Sequence, residues 1–207
     1  MYRKPLEAIL SLPPYIRVPR VFSVDDCSTI INGCLNGISP TTAVTGTQAG
    51  LNPIRESIIR WIEPTLESNF IFEKIDKVIE ECNSNYFNFD ISGYTKIQFT
   101  EYTDGSLGEK AGKYDWHIDT TFTNDFTGQD CNIVLNQTLR KLSVSVVLNQ
   151  QDIDFYGGSL EMVNYPTPIL NQGDLLIFPS FLSHRVTQII KGTRYSLVVW
   201  VLGPRFR

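Results

Sequence analysis

The chain has 207 residues, of which 42% are hydrophobic and 19% are charged. This composition is typical of a folded globular protein, and it excludes a disordered, collagen-like or coiled-coil chain. With 22 acidic and 18 basic residues the formal net charge is −4. Because the chain has no general positive field to attract nucleic acid or anionic lipid, no nucleic-acid partner is expected.

The sequence contains no predicted membrane span or signal peptide. Its longest apolar runs, such as residues 196–202, are far shorter than the roughly 20 residues that cross a bilayer. Near the N-terminus, Pro13-Pro14 interrupts a short apolar run before a signal-peptide core can form. The four cysteines are widely spaced and form no C-x-x-C pair, which favours free, buried thiols. We therefore expect a cytoplasmic protein.

Two amphipathic helices are predicted in the N-terminal part. Ser23 and Asp26 match a capping box, and helical apolar spacing then continues to Gly37. Residues 46–52 are small and polar, which indicates a loop. A second helix is predicted over about 65–83, since its apolar residues fall on one stripe. These residues are Ile71, Ile75, Val78, Ile79 and Cys82.

After Asn88 the sequence changes to short β-rich runs separated by turn residues, which is typical of an antiparallel sandwich or barrel. The predicted strands cover residues 94–102, 113–119, 141–148, 159–163, 174–178, 183–190 and 194–202. We predict one domain over 1–207, with helical support and the first strands in 1–90 and a β-sheet core in 91–207.

The two histidines of the chain are the first candidates for chemistry. His117 and Asp119 lie two positions apart in a predicted strand, so both side chains project from one face. If His184 joins them from a later strand, the set is two histidines and one carboxylate, which leaves positions open on Fe(II) for a cosubstrate and dioxygen. Zinc uses the same ligand types, and a surface histidine is the alternative interpretation.

A candidate carboxylate anchor follows His184. Arg194 and Ser196 share one strand face, so the guanidinium and the hydroxyl can both address a single carboxylate. A chelating metal site combined with such an anchor fits a 2-oxo dicarboxylic acid.

An ordered series of motifs extends over residues 97–201. The pieces are Tyr102, Tyr114-x-x-His117-x-Asp119, Arg140-Lys141-Leu142-Ser143, Phe155-Tyr156-Gly157-Gly158-Ser159-Leu160, Gly173-Asp174-Leu175, Phe178-Pro179-Ser180, Ser183-His184-Arg185-Val186-Thr187 and Gly192-Thr193-Arg194-Tyr195-Ser196. This series resembles the Fe(II)/2-oxoglutarate-dependent dioxygenases of the prolyl 4-hydroxylase type, nearest the bacterial PKHD-like branch. The N-terminal helices match only loosely.

The resemblance implies a double-stranded β-helix, or jelly roll, and assigns roles to individual residues. His117, Asp119 and His184 would be the iron ligands, with Arg194 as partner of the distal carboxylate of 2-oxoglutarate. Ser196 would assist Arg194, and Tyr102 would help to bind the cosubstrate. Tyr114, an aromatic residue beside the H-x-D motif, is a candidate substrate contact on separate grounds. The alternative is a core position, since aromatic residues on strands are more often core.

Two features depart from the family pattern or extend it. Some prolyl hydroxylases carry a tyrosine on the strand after the H-x-D motif, but here Ser143, Ser145 and Val147 form a face of small residues that leaves room for a ligand. The long polar segment 120–139 is either a lid or substrate-binding loop, which we favour, or a passive surface loop.

The function implied is hydroxylation of a prolyl residue in a peptide or protein, with O2 and 2-oxoglutarate consumed and succinate and CO2 released. Asp119 favours hydroxylation, because halogenating relatives replace this carboxylate with a small residue. Ascorbate is a candidate additional cofactor. The alternatives are a hydroxylase of a free amino acid or other small molecule on the same site, and a jelly-roll binding protein with a vestigial metal site.

Overall fold

The computed structural model describes residues 14–45, 54–106, 110–120 and 138–205. In chain order the elements are β1 (Ile16–Val18), α1 (Val24–Gly37), β2 (Thr41–Thr45), β3 (Arg55–Ile62), α2 (Asn69–Cys82), β4 (Ile97–Thr103), β5 (Lys113–His117), β6 (Thr138–Val147), β7 (Phe155–Gly157), β8 (Leu160–Met162), β9 (Leu175–Pro179), β10 (His184–Val186) and β11 (Ile189–Pro204). Neither helix in this part of the chain is long and apolar enough to cross a bilayer.

Helix α1 begins and ends where the sequence predicts. The Ser23 side chain accepts a hydrogen bond from the Asp26 backbone, and the Asp26 carboxylate accepts one from the Ser23 backbone, which completes the capping box. The buried face of the helix consists of Cys27, Ile30 and Cys34.

Helix α2 has the predicted apolar stripe but begins at Asn69, later than the predicted start near residue 65. The preceding residues form a turn instead, because the Ser68 hydroxyl donates to the Glu63 carbonyl and accepts from the Thr65 backbone. A π-helical turn, Asn83–Phe87, extends the helix to Asn88, which adopts a left-handed conformation with φ of 51°.

The strands form one curled, antiparallel sheet with the order β1-β9-β6-β11-β4-β3-β5-β10-β8. Strand β2 pairs with β3, and β7 pairs with β11. The long strand β11 lies between β6 and β4 and connects both halves of the curl. This architecture confirms the predicted jelly roll supported by helices.

The N-terminal part contributes more strand residues to the sheet than its sequence pattern, which predicts mainly helices, indicates. Strand β3 lies in the interior of the sheet order between β4 and β5. It contains two arginines that are nonetheless buried, Arg55 and Arg60, and these charges obscure its apolar alternation in the sequence. The predicted strand 183–190 is in fact two elements, since β10 ends at Val186 and β11 begins at Ile189.

The core lies on both faces of the sheet. One apolar cluster fills the space between the helices and the outer face, and a second lies inside the curl. Strand β6 shows the division, because Leu142 and Val146 belong to the outer cluster while Ser143 and Ser145 line a cavity inside the curl. The predicted face of small residues therefore exists, and it faces a cavity.

Candidate active site

Strand pairing brings the two histidines together. His117 is the last residue of β5 and His184 is the first residue of β10, and the two are direct partners in the antiparallel register. Asp119 follows β5, and its Oδ1 and Oδ2 atoms lie 3.6 Å from Nε2 of His117 and 3.4 Å from Nε2 of His184, respectively. All three potential ligand atoms lie within 4.8 Å of one another. The three residues predicted to act together therefore share one site.

Hydrogen bonds orient both imidazoles for metal binding. Nδ1 of His117 lies 2.7 Å from the Asp115 carbonyl, and Nδ1 of His184 lies 2.9 Å from the Leu182 carbonyl. Because a carbonyl only accepts, each Nδ1 carries a proton, so Nε2 is the ring nitrogen that can offer a lone pair to a metal. This is the arrangement found where histidine ligates a metal.

The electrostatics of the cluster favour the same protonation states. Burial and the neighbouring His184 together lower the pKa of His117 to about 4, although Asp119 opposes the change. Burial alone would raise the pKa of Asp119, but His184, His117 and a hydrogen bond from Ser143 bring it below its ordinary value. At neutral pH the site holds a neutral His117 and an ionised carboxylate, as metal ligation requires.

Arg194 lies in the same cavity on β11, opposite Tyr102 of β4 in the sheet register. Its side chain is almost fully buried and donates a hydrogen bond of 2.9 Å to Ser196 Oγ. Among the residues that the structure describes, Arg194 forms no ion pair. An unpaired buried guanidinium is costly unless a ligand supplies the negative charge, so this end of the cavity suits a carboxylate.

Tyr114, the candidate substrate contact, also lines the cavity. Its ring stacks on His117 with a centroid distance of 3.4 Å and an interplanar angle of 10°. The guanidinium of Arg55 also lies over the Tyr114 ring, 4.9 Å from its centroid. Arg55 is only 7% exposed and lines the cavity. It is not among the predicted site residues, because it lies on β3, a strand that the sequence pattern does not reveal.

Trp116 and Trp200 lie on strands that contribute to the site, but their surroundings differ. Trp200 lines the cavity, and the guanidinium of Arg140 lies 4.1 Å from its ring centroid. Trp116 is 41% exposed and packs beneath Arg185 on the outside of the sheet, so it is not a core residue. In the predicted lid segment 120–139, residues 138 and 139 belong to β6, whereas residues 121–137 lie outside the described residues, as does the predicted loop at 46–52.

Two histidines and one carboxylate, with their ligand atoms within 4.8 Å of one another, are the donor set that Fe(II) takes in oxygenases with open coordination positions. On a jelly-roll sheet with a buried arginine in the same cavity, this donor set defines the class of the 2-oxoglutarate-dependent oxygenases. A model of the 2OG-Fe(II) oxygenase superfamily matches residues 97–202, which is about half of the chain. The chain belongs to this superfamily, whose cofactor is Fe(II) and whose cosubstrate is 2-oxoglutarate.

Two curated relatives to which the chain is similar are PKHD-type hydroxylases. A PKHD-type hydroxylase of Synechococcus sp. (strain CC9311) is 32% identical over 99 residues, covering 46% of this chain and 39% of that protein. A second, from Teredinibacter turnerae (strain ATCC 39867 / T7901), is 30% identical over 94 residues, covering 44% and 38%. The chain thus matches about two fifths of the length of these relatives. The predicted family resemblance is confirmed.

Solved structures confirm the fold. The viral collagen prolyl hydroxylase of Paramecium Bursaria Chlorella virus-1 has a TM-score of 0.66 at 17% identity, with 95% of this chain and 99% of that chain covered. A Pseudomonas putida prolyl-4-hydroxylase has a TM-score of 0.66 at 18% identity, with 97% of both chains covered. A Trichoplax adhaerens prolyl hydroxylase, in complex with a peptide fragment, has a TM-score of 0.64 at 22% identity, covering 92% and 84%.

Proposed function

We propose that the protein is an Fe(II)- and 2-oxoglutarate-dependent dioxygenase that hydroxylates a prolyl residue in a peptide or protein. O2 is the second cosubstrate, and succinate and CO2 are released. The observation that carries the proposal is that one cavity contains both the His117, Asp119 and His184 cluster and the buried Arg194, which forms no ion pair with any residue that the structure describes.

In this proposal each residue has a defined role. His117, Asp119 and His184 hold Fe(II) through the two Nε2 atoms and the carboxylate. Arg194, with Ser196 beside it, binds the distal carboxylate of 2-oxoglutarate through charge-assisted hydrogen bonds, and Tyr102 closes that end of the cavity. When bound, iron and 2-oxoglutarate supply the oxidising chemistry, and the protein supplies orientation and a largely dry site. The ionised Asp119 occupies the position that halogenating relatives leave free, so the expected outcome is hydroxylation.

The cavity wall around Tyr114 supports a prolyl substrate. Arg55 lines this wall, and Arg140 lies against Trp200, which also lines it. A prolyl residue within a peptide offers only carbonyl acceptors and an apolar ring, because its nitrogen carries no hydrogen. Guanidinium donors beside aromatic rings match both features. The names of the PKHD-type relatives and the prolyl hydroxylases of the same fold support this assignment.

One observation favours a second candidate, a free amino acid or other small acid. Arg55 is buried and lines the cavity, yet its recorded contacts among the described residues are Ser57 Oγ and the Tyr114 ring, with no carboxylate. A substrate carboxylate could neutralise the charge of Arg55, and a peptide carbonyl could equally accept hydrogen bonds from its guanidinium. The two candidates therefore differ in what Arg55 binds.

We also propose that the protein acts in the reducing cytoplasm, where ascorbate would serve to keep the iron reduced. Three described cysteines, Cys27, Cys34 and Cys82, are free and buried. Burial raises the pKa of Cys27 to about 11 and that of Cys34 to about 12, so neither forms a reactive thiolate at neutral pH.

The proposal is tested by measuring succinate after anaerobic loading with Fe(II) and 2-oxoglutarate and subsequent admission of air. The reaction is run with a panel of proline-containing peptides, with free amino acids, and without an added substrate. We expect succinate to rise with a peptide and the peptide to gain the mass of one oxygen on proline. Oxidation of a free amino acid instead would replace the prolyl substrate with the second candidate.

The His184→Ala variant supplies the catalytic control, and Arg185→Ala is its matched partner. Arg185 is the neighbouring residue, and it pairs with Glu161 on the outside of the sheet. We expect His184→Ala to abolish 2-oxoglutarate turnover while Arg185→Ala retains it. Absence of succinate from the wild-type protein with iron shown to be bound would favour a binding protein with a vestigial site.

A further inference from the structure

We propose that Ser143 and Ser180 are positioning residues that hold the Asp119 carboxylate in the orientation that ligates the metal. The inference rests on the proposed Fe(II) site and extends it to two side chains that do not contact the metal position themselves. The residues lie on β6 and in the turn after β9, well separated along the chain from Asp119. They therefore reach it only through the fold.

Asp119 needs such support because it lies beyond the end of its strand. Strand β5 ends at His117, and Asp119 has no partner in the sheet register. The Ser180 carbonyl accepts from the N–H groups of Asp119 and Thr120 at 2.9 and 3.2 Å, and the Asp119 carbonyl accepts from Arg140 at 3.4 Å. These bonds fix the backbone but leave the side-chain torsions of Asp119 free to turn the carboxylate away from the two imidazoles.

The side chain is held by a chain of hydroxyl groups. Ser143 Oγ lies 2.6 Å from Asp119 Oδ2, and Ser180 Oγ lies 2.9 Å from Ser143 Oγ. An ionised carboxylate can only accept, so Ser143 donates to Asp119 and Ser180 in turn donates to Ser143. Both serines are fully buried, so water does not compete for these hydrogen bonds.

A backbone hydrogen bond also joins Ser180 to β6. The Ser180 N–H donates at 3.0 Å to the Lys141 carbonyl, which lies two positions before Ser143 on β6. Ser180 therefore binds β6 through its backbone and its hydroxyl, and it binds Asp119 through its carbonyl. This arrangement fixes the carboxylate relative to the sheet that carries the rest of the site.

Strand β6 provides a matched control. Ser145 lies on the same face as Ser143 and lines the same cavity, but no hydrogen bond to another described residue is recorded for its hydroxyl. Removal of either hydroxyl changes the polarity and volume of the cavity in the same way. Only removal of the Ser143 hydroxyl releases Asp119.

The test is the affinity of the metal-free protein for Co(II), followed through the visible absorption of the bound ion. Loss of a group that orients a ligand typically weakens metal binding 10- to 100-fold, and we expect Ser143→Ala to weaken Co(II) binding by about this factor and to alter the spectrum. Ser143→Thr keeps the hydroxyl and should restore both properties. Ser145→Ala should bind Co(II) as the wild-type protein does.

A purely structural role for Ser143 would lower thermal stability without changing the affinity or spectrum of bound Co(II), and that result would overturn the inference. Should Ser143→Ala fail to fold, Ser180→Ala carries the test, with an expected loss of about 3- to 10-fold, and unchanged affinity in that variant overturns the inference equally. Failure of the wild-type protein to bind Co(II) would instead contradict the proposed metal site, so the two failures are distinguishable.

Discussion

At the scale of single residues, the candidate site contains charges that the described part of the fold does not neutralise. Arg194 is buried, and burial lowers its pKa, while the nearby Tyr102 opposes this shift. Its recorded contacts are the Ser196 hydroxyl and the face of the Tyr102 ring. Neither of these described contacts is a carboxylate, so a bound carboxylate is the group that completes this environment.

Replacement of Arg194 by Ala is therefore expected to act on cosubstrate binding. A hydrogen bond to a charged group contributes about 1.5–3 kcal/mol, so KM for 2-oxoglutarate should rise by about 10- to 100-fold with a smaller change in kcat. Steady-state succinate formation at varied 2-oxoglutarate measures both constants. Arg185→Ala, on the outer face of the sheet, is the control, and an unchanged KM in Arg194→Ala would contradict the assigned role.

At the scale of elements, a charged contact joins the two helices. The ammonium group of Lys74 on α2 lies 2.6 Å from Oδ2 of Asp26 on α1. The same Oδ2 atom accepts from the Ser23 backbone at 2.8 Å. Asp26 thus combines the capping of α1 with the packing of α1 against α2.

The Asp26→Asn variant should be less stable by about 1 kcal/mol near neutral pH, since loss of capping and of a surface ion pair each contribute on this order. Slight burial raises the pKa of Asp26, but the hydrogen bonds from Lys74 and Ser23 outweigh it and bring the pKa below 3.8. A group whose pKa is lowered by folding stabilises the protein above its unfolded pKa and loses this effect as pH falls through its folded pKa.

The stability difference between wild type and Asp26→Asn should therefore shrink as pH falls below about 4. Urea unfolding at a series of pH values measures this difference. Asp25→Asn is the matched control, because Asp25 lies in the same first turn of α1 without a recorded side-chain hydrogen bond. A difference that stays constant on acidification would contradict the role of the Asp26 carboxylate.

At the scale of the whole molecule, the site depends on the closure of the curled sheet. His117 and Asp119 come from the end of β5 and His184 from β10, whereas Arg194 and Ser196 come from β11. Metal and cosubstrate together would therefore contact residues from β5 and β10 as well as residues from β11. Because an unfolded chain cannot present this arrangement, ligand binding should stabilise the native state.

Thermal unfolding with Co(II) and 2-oxoglutarate measures this coupling. At ligand concentrations of about 100 times Kd the stabilisation is about 2.7 kcal/mol, which for a chain of this size corresponds to a rise in Tm of about 5–10 °C. EDTA should reverse the rise, and His184→Ala should not show it. An equal rise in His184→Ala would indicate that the metal binds elsewhere.

The features that the sequence determined by itself are those encoded by local patterns. The capping box and apolar spacing of α1 define both of its ends, and the period of two along β6 places Ser143 on the cavity side. In both cases neighbouring residues determine the outcome, because side-chain direction repeats with the period of the helix or strand. The H-x-D spacing also keeps His117 and Asp119 close together, but the predicted strand 113–119 ends at His117, so the period of the strand does not set the direction of the Asp119 side chain.

The features that depend on pairing between distant segments are visible only in the tertiary structure. Strand β3 and its buried Arg55 follow from pairing with β4 and β5, which stabilises a segment whose charges hide its alternation. The hydrogen bond from Ser143 to Asp119 joins residues 24 positions apart. Such contacts depend on the register and curl of the whole sheet, which no local pattern encodes, since pairing energy is realised only when the distant strands meet.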